Sequence, residues 1–306
     1  YVIAANLQSF RAIYPSVNNV VGGWTGSLRN GGENIELASS NGVVVNEVNY
    51  ANQGDWGVRQ RGPLLSGTRG WDWFAEHDGL GKSLEVVNPN LPNEHGQNWA
   101  ASVPSGGSPG SGNSTYNTNI APLIVEVGHF PVVPTSSEAV TINPRFIDER
   151  TNVTAVVWWR TLANPFTSLD MFDDGEHNDG SANDGLYGAI LPPQGDRTVV
   201  EFYVQATDNS ARSRTWPAAA LDEFGQPVQN ANALYQVDDT VYTGTDPIYR
   251  VILSAAELQT YLNINRQSDA QMNATFITID PVETLVRYNC GFRIRGAGSR
   301  SRTPPN

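Results

Sequence analysis

Short segments in which apolar and polar residues alternate constrain the fold of this chain more than any other feature. In the clearest one, 200–207, every second residue is apolar and the residues between are polar or tyrosine. Successive side chains of a strand point to opposite faces, so this segment predicts a strand with one face in a core and one in solvent. Further strand-like segments occur at 123–127, 139–142 and 155–159. The spacing predicts a β-sandwich, immunoglobulin-like or fibronectin-type-III-like, in the middle of the chain.

The composition agrees with a mostly β chain. Its 306 residues include 29 glycines and 19 prolines, and 16% are charged. These values are typical of many short strands joined by polar turns and argue against helical bundles and disorder. Because single cores stop growing near about 250–300 residues, we expect more than one domain.

Charge and cysteine content exclude several kinds of function. The net charge is −12, which argues against a nucleic-acid partner held by phosphate contacts. The sequence contains no apolar run as long as the roughly 20 residues of a membrane span. Cys290 is the only cysteine, so an intrachain disulfide and a cysteine-based metal site are excluded. A lone thiol fits the cytosol, and it also fits bacterial extracellular proteins.

The organisation along the chain predicts three parts, 1–118, 119–245 and 246–306. In the first, Asn6 is positioned to cap a helix over 7–14, and Asn41-Gly42 predicts a hairpin turn. The segment 105–114 consists of Gly, Ser, Pro and Asn and predicts a flexible linker.

The third part predicts a strand, a helix and two more strands. A strand at 249–253 leads into Ser254-Ala-Ala-Glu257, a capping box that opens a helix through about Leu262. Further strands are predicted at 276–279 and 292–294. So few residues do not bury a core alone, so we expect a partial α+β domain.

Motifs in the first part resemble the lamin-tail domain of large secreted bacterial proteins. Several separated motifs carry the resemblance in the right order: WTGSLRNGGENIEL (24–37), the strand 44–50 with Trp56, GKSLE (81–85), NWAAS (98–102) and GGSPG (106–110). The resemblance implies a small immunoglobulin-like sandwich that binds or anchors and has no catalytic residues. Strands that precede Tyr1 in that family are missing, so we expect an internal fragment of a longer protein.

The later parts resemble the modules that follow in such proteins. Segment 172–188 is similar to a loop of their fibronectin- or immunoglobulin-like spacer. Segment 249–306, with FRIRGAGSR at 292–300, resembles the start of a CotH-type (spore coat protein H) kinase domain. The fold expected for the whole chain is therefore mostly β, with tandem immunoglobulin-like sandwiches and a partial α+β segment at the C-terminal end.

A repeated Asx-Asp-Gly unit is the sharpest chemical signal. It occurs three times at five-residue spacing, and its candidate ligands are Asp173, Asp174, Asn178, Asp179, Asn183 and Asp184. Each glycine permits a tight turn that aims oxygens inward, and Ca²⁺ takes about 6–8 oxygen ligands. Because clustered carboxylates repel one another, a bound Ca²⁺ is one interpretation, with His177 a bystander. The alternative is an acidic hairpin shaped by Asx-Gly turns.

The tryptophans suggest a carbohydrate site. Trp71 and Trp73 would share a strand face and could stack on sugar rings, although aromatic residues of small sandwiches are more often core. Trp158 and Trp159 would point to opposite faces, one into the core and the other outward.

The inventory argues against an enzyme. Lys82 is the only lysine and belongs to the first part, whereas phosphoryl transfer needs a cation and Mg²⁺-binding carboxylates in one site. We therefore expect a non-enzymatic, calcium-stiffened structural or adhesive segment of an extracellular or cell-surface bacterial protein. The alternatives are an inactive piece of a CotH-type kinase and a carbohydrate-binding module.

The expected partners are other copies of this chain, other cell-surface proteins or glycans. An incomplete first sandwich would expose unpaired backbone groups beside an apolar groove, which a strand from another copy could fill. Head-to-tail contacts of this kind build filaments. Plain truncation of a longer chain is the alternative.

Overall fold

The computed structural model describes residues 1–150, 152–242, 244 and 246–296, and divides into two compact units. The first unit comprises Tyr1–Val58 and Trp73–Ile120. The second comprises Arg59–Asp72 and the described residues from Ala121 onward. The division into three domains, 1–118, 119–245 and 246–306, stays a prediction. Residues 297–306, which hold most of the GAGSR motif, lie outside the described residues.

The described part of the chain is mostly β, as predicted. The elements up to residue 101 are β1 (Val2–Ala4), α1 (Leu7–Ile13), β2 (Val20–Gly22), β3 (Gly32–Ala38), β4 (Val44–Ala51), β5 (Val58–Leu65), β6 (Thr68–Phe74), β7 (Leu84–Val86) and β8 (Trp99–Ala101). The elements that follow are β9 (Leu123–Phe130), β10 (Val140–Ile147), β11 (Thr154–Thr161), β12 (Thr167–Met171), β13 (Ala189–Leu191), β14 (Val199–Thr207), β15 (Ser213–Trp216), β16 (Ala220–Leu221), β17 (Pro227–Val228), β18 (Ala233–Gln236), β19 (Ile248–Leu253), α2 (Ala255–Asn263), β20 (Met272–Ile279) and β21 (Thr284–Phe292). Within the described residues, no helix is long and apolar enough to span a membrane.

The first unit is built from two-stranded sheets. β1 and β2 pair in parallel, and β3–β4 and β7–β8 are antiparallel. The Asx cap predicted for the first helix is confirmed, because Asn6 Oδ1 accepts a hydrogen bond of 2.9 Å from Ser9 N. The predicted turn at Asn41-Gly42 connects β3 and β4, and Gly42 has a φ of 82° that suits glycine.

The Gly/Ser-rich segment 105–114 is not a free linker, which corrects the prediction. The hydroxyls of Ser108 and Ser114 donate to the carboxylate of Glu85 in β7, at 2.5 and 2.7 Å. Asn113 Nδ2 donates to Val86 O at 2.9 Å. Composition predicted flexibility, but a buried carboxylate that needs donors holds this segment against β7.

A sandwich of two sheets forms the centre of the second unit. One sheet has the order β13-β10-β9, and the other has the order β12-β11-β14-β15 with β18 also paired to β14. The predicted alternation in β14 is confirmed, since its four inward-facing residues are fully buried: Val200, Phe202, Val204 and Ala206. They share one core with residues of β10, β11 and β18.

The C-terminal sheet, in the order β19-β20-β21, packs against this sandwich. Ile252 and Ile277 form one buried cluster with Leu234 of β18. The predicted helix is confirmed as α2, and Ser254 Oγ accepts from Glu257 N at 3.2 Å. The strand predicted at 292–294 is wrong, because the observed strand β21 ends at Phe292. The strands of the C-terminal segment therefore bury apolar side chains against the outer face of the sandwich sheet that contains β18.

Candidate functional site

The three Asx-Asp-Gly units lie in one loop, residues 172–188, between β12 and β13. Gly175, Gly180 and Gly185 have φ values of 79°, 88° and 83°. Asn178 and Asn183 are also left-handed, with φ of 57° and 63°. The sequence prediction of repeated tight turns is confirmed, because Asn and Gly are the residues that adopt this conformation at least cost.

Asp179 is the centre of the loop. It is 0% exposed, although burial of a carboxyl group is costly unless the group is hydrogen-bonded. Its Oδ2 accepts from the backbone N–H groups of Asp174 at 2.6 Å and Gly175 at 3.0 Å, and its Oδ1 accepts from His177 N at 3.2 Å. Three amide donors offset the desolvation of this carboxylate and fix the first turn of the loop.

Two further carboxylates bind backbone amides in the same way. Asp173 accepts from Asp184 N at 3.1 Å and from Gly185 N at 2.9 Å. Asp184 accepts from Ser181 N at 3.1 Å and from Leu186 N at 2.9 Å. Each carboxylate therefore organises a turn, which is the structural alternative weighed from the sequence.

His177 has a role that sequence reasoning missed. Its Nδ1 lies 2.9 Å from Asp174 Oδ1, and its ring stacks on Phe172 with a centroid distance of 4.7 Å. The hydrogen bond to Asp174 raises the pKa of His177, and the same contact lowers the pKa of Asp174. The contact with Asp174 therefore favours the protonated form of the imidazole beside the acidic loop.

The two asparagines at left-handed positions differ in their contacts. Asn178 Nδ2 donates to Thr141 Oγ1 at 2.9 Å, and Asn178 O accepts from Asn143 Nδ2 at 2.9 Å. Asn183 N donates to Asp173 O at 3.3 Å. The two contacts of Asn178 join the loop to β10, so the loop closes one end of the sandwich.

In the described part of the chain, no group of three or more His, Cys, Asp or Glu side chains is placed to hold a metal ion. The candidate ligands Asp173, Asp179 and Asp184 instead bind amides. The sequence argument for Ca²⁺ was that clustered carboxylates repel one another, and it did not consider stabilisation by these amides. The calcium site therefore stays a prediction. The calcium site can be tested by measuring how the stability of the chain responds to Ca²⁺.

A groove of about 880 Å³ lies beside the loop. Asp173 and Asp184 of the loop line it, together with Asp148, Asp170 and Arg150. Burial and the neighbouring carboxylates of Glu149 and Asp208 raise the pKa of Asp148 to about 6. This end of the sandwich is therefore strongly acidic.

Trp71 does not offer a ring to a sugar. It is 2% exposed, its Nε1 donates to Glu257 Oε1 at 2.7 Å, and the Arg61 guanidinium lies 3.8 Å from its ring centroid. Trp73 is half-buried. The expectation that Trp71 and Trp73 together form a sugar-binding surface is therefore wrong for Trp71. Its ring is covered by residues that include Glu257, which is distant in the sequence.

The prediction for the adjacent tryptophans is confirmed. Trp159 packs against the sandwich core, whereas Trp158 lies on the other face of its sheet beside Tyr203. The sequence predicted this arrangement because successive side chains of a strand, here β11, point to opposite faces of the sheet.

Lys82 has a structural role. Its Nζ donates to two backbone carbonyls, Ser102 O at 2.8 Å and Val103 O at 2.6 Å. The ammonium group therefore fixes the end of the NWAAS motif.

Comparison with known proteins bears on the middle of the chain. A family model described as the conditioned medium factor 2nd Ig-like domain matches residues 163–207. That segment contains β12, the acidic loop, β13 and β14. The sandwich is an immunoglobulin-like domain. No curated protein matches the chain.

Proposed function

We propose that this chain is a non-enzymatic structural or adhesive segment of an extracellular or cell-surface bacterial protein. The immunoglobulin-like sandwich carries the proposal, because its core is buried from both sheets and its end is closed by an ordered loop. Folds of this kind present surfaces and loops for binding.

The module assignment of the first unit belongs to this proposal. The NWAAS motif supports a lamin-tail-like domain, because its members hold the unit together. Asn98 is fully buried, and its Nδ2 donates to Asn88 O at 2.8 Å while its Oδ1 accepts from Asn88 N at 2.9 Å. Trp99 Nε1 donates to Asn93 O at 2.8 Å.

The C-terminal segment is proposed to be the start of a CotH-type kinase-like domain without activity of its own. The fixed position of Lys82 on backbone carbonyls supports a non-enzymatic chain. Incubation with ATP, Mg²⁺ and a generic protein acceptor tests this. No phosphate transfer is expected, and robust transfer would contradict the structural role and favour a kinase piece.

Stiffening by Ca²⁺ through residues 172–188 is the second element of the proposal. The support is the density of carboxylate and carbonyl oxygen in a loop that closes the sandwich. Binding to the folded state alone raises the free energy of unfolding by about 2.7 kcal/mol at a hundredfold excess of Ca²⁺ over Kd.

Self-association is the third element. The β3–β4 hairpin exposes Leu37 by 59%, Ile35 by 44% and Val44 by 47%. Among the described residues, no further strand pairs with this hairpin, and unpaired strand edges beside exposed apolar side chains are a template for a strand from another copy. Light scattering over a concentration series tests this: growth into larger species supports filament formation, and a monodisperse monomer contradicts it.

A further inference from the structure

A cluster of aromatic side chains lies on the outer face of the sandwich, on the larger of its two sheets. We define the aromatic platform as Trp158, Phe166 and Tyr203. The rings of Trp158 and Tyr203 are nearly parallel, at 11°, with centroids 6.1 Å apart. The Phe166 ring stands at 76° to Tyr203 with a centroid distance of 5.0 Å. Two nearly parallel rings and a third ring that stands across them thus form one aromatic cluster.

The core does not account for this cluster. Trp158 and Tyr203 are directly opposite each other in β11 and β14, and their neighbours Val157 and Val204 are fully buried on the inner face. All three platform residues are half-buried, so part of their surface remains open to solvent. Half-exposed aromatic residues grouped on one sheet face are typical of binding surfaces.

Hydrogen bonds fix the indole of Trp158 before any ligand arrives. Trp158 Nε1 donates to Gln205 Oε1 at 3.0 Å, and Gln205 Nε2 donates to Ser213 Oγ at 3.0 Å. Thr207 Oγ1 donates to the same Ser213 hydroxyl at 3.1 Å. An indole held in this way loses little conformational entropy on binding.

The platform continues into a groove. The Arg160 guanidinium lies 4.3 Å from the Phe166 ring centroid, and Arg160 Nε donates to Glu201 at 2.8 Å. Glu201 in turn lines a groove of about 440 Å³, with Leu253 and Leu258 on its apolar side. An extended ligand that lies on the rings would therefore enter this groove.

The charges along this surface cancel. Arg160 pairs with Glu201, and Arg197 of the groove lies 3.6 Å from Asp196. The chain as a whole carries a net charge of −12. A surface with balanced charges on such an acidic chain fits an uncharged ligand better than a charged one.

We infer that the aromatic platform and its groove bind a neutral polysaccharide. The C–H faces of pyranose rings pack on Trp158 and Tyr203, and sugar hydroxyls reach Gln205 and Ser213. This inference rests on the adhesive role proposed above and names its ligand class. It places the site on β11 and β14 and not at Trp71 and Trp73.

Affinity electrophoresis of the whole chain tests the inference. Native gels contain hydroxyethylcellulose, xyloglucan or soluble starch, with alginate as the anionic comparison. At least one neutral polysaccharide should retard the chain, and alginate should not. Trp158→Ala and Tyr203→Ala should each weaken binding roughly tenfold or more, as loss of an aromatic anchor does. Phe224→Ala is the matched control, because Phe224 is an exposed aromatic residue outside the platform.

Two conservative variants keep the test decisive if an alanine variant does not fold. Tyr203→Phe retains the ring and should bind like the parent, and Trp158→Phe should lose the change in tryptophan fluorescence that polysaccharide causes. No retardation by any neutral polysaccharide, retardation by alginate alone, or equal binding by Trp158→Ala and Phe224→Ala would overturn the inference. Failure here leaves the calcium response and the phosphate-transfer result unchanged, so the proposed structural role is judged separately.

Discussion

The hydroxyl of Tyr288 in β21 donates a hydrogen bond to Nδ1 of His129 in β9. The other ring nitrogen, Nε2, lies 2.9 Å from Val132 O and therefore carries the proton. The imidazole also stacks on Tyr235, with a centroid distance of 5.1 Å. One neutral histidine thus joins the C-terminal sheet to the immunoglobulin-like sandwich.

Stability should fall as the pH drops from about 6.5 to about 4. Burial lowers the pKa of His129 to about 4, so the unfolded chain takes up a proton in this range and the folded chain does not. The loss of unfolding free energy from this group is on the order of 3 kcal/mol, and it is complete below the folded pKa. Urea unfolding at pH 7, 5 and 4 measures it.

His129→Asn is the comparison for that titration, since an amide can donate and accept but does not ionise. The variant should be less stable at pH 7 and should have a smaller pH dependence between 6.5 and 4. Equal slopes in variant and parent would show that the pKa of His129 is the same in the folded and the unfolded chain.

Tyr288→Phe should destabilise the whole second unit. The substitution removes the donor to a buried imidazole nitrogen, and an unsatisfied buried acceptor costs about 1–3 kcal/mol. Tyr249→Phe, at an exposed tyrosine of the same sheet, should change little. Calorimetry should give one transition at lower temperature for Tyr288→Phe. A separate early transition of the C-terminal sheet would contradict the tight coupling.

Local patterns were sufficient to predict part of the fold. The alternation in β14 and the caps at Asn6 and Ser254 depend on residues within a few positions of one another. β5 and β6 left no such signal, because their place depends on distant partners, as when Leu221 pairs with Gln60. Trp71 is buried for the same reason, since its backbone N–H donates to Gln271 O at 2.8 Å.

The candidate site divides in the same way. The glycine positions of the acidic loop followed from the repeat itself, and the opposite orientations of Trp158 and Trp159 followed from the strand period. The hydrogen-bond partners of each carboxylate could not be predicted, because nearly every residue has a backbone N–H and the residue type does not show which one donates. The aromatic platform combines residues of β11 and β14 with Phe166, which directly precedes β12, and only the tertiary fold brings them together.

Removing the Glu85 carboxylate should release the segment 105–114. Glu85 accepts from Ser108, Ser114 and the Thr115 backbone N–H, so Glu85→Ala leaves these donors without that acceptor. Hydrogen exchange of peptides from this segment should become faster. Glu94→Ala, at an exposed carboxylate, is the control and should leave exchange unchanged. Equal protection of the segment in both variants would show that Glu85 does not hold it against β7.

Trp71→Ala should affect folding and not polysaccharide binding. Removing a buried tryptophan costs about 3–5 kcal/mol, and here it also takes the indole donor from Glu257, whose pKa burial already raises. Chemical unfolding should show this loss. The folded fraction should be retarded in polysaccharide gels like the parent. If Trp71→Ala were as stable as the parent but were no longer retarded in polysaccharide gels, Trp71 would belong to the sugar-binding site.

Asp179→Ala separates the two interpretations of the acidic loop. The substitution leaves three backbone N–H groups without their acceptor, so we expect a loss of about 1–3 kcal/mol with or without Ca²⁺. If the loop binds Ca²⁺, the parent should also melt at a higher temperature in millimolar Ca²⁺ than in EGTA, and Asp179→Ala should lose that difference.

Asp222→Ala is the matched control for the calcium experiment. Asp222 shapes a different turn by accepting from Phe224 N at 2.9 Å and Gln226 N at 2.8 Å, outside residues 172–188. This variant should keep the full response to Ca²⁺ while losing some stability. Identical melting of the parent in Ca²⁺ and in EGTA would leave the carboxylates as turn-forming residues alone, because a ligand that binds only the folded state must raise its melting temperature.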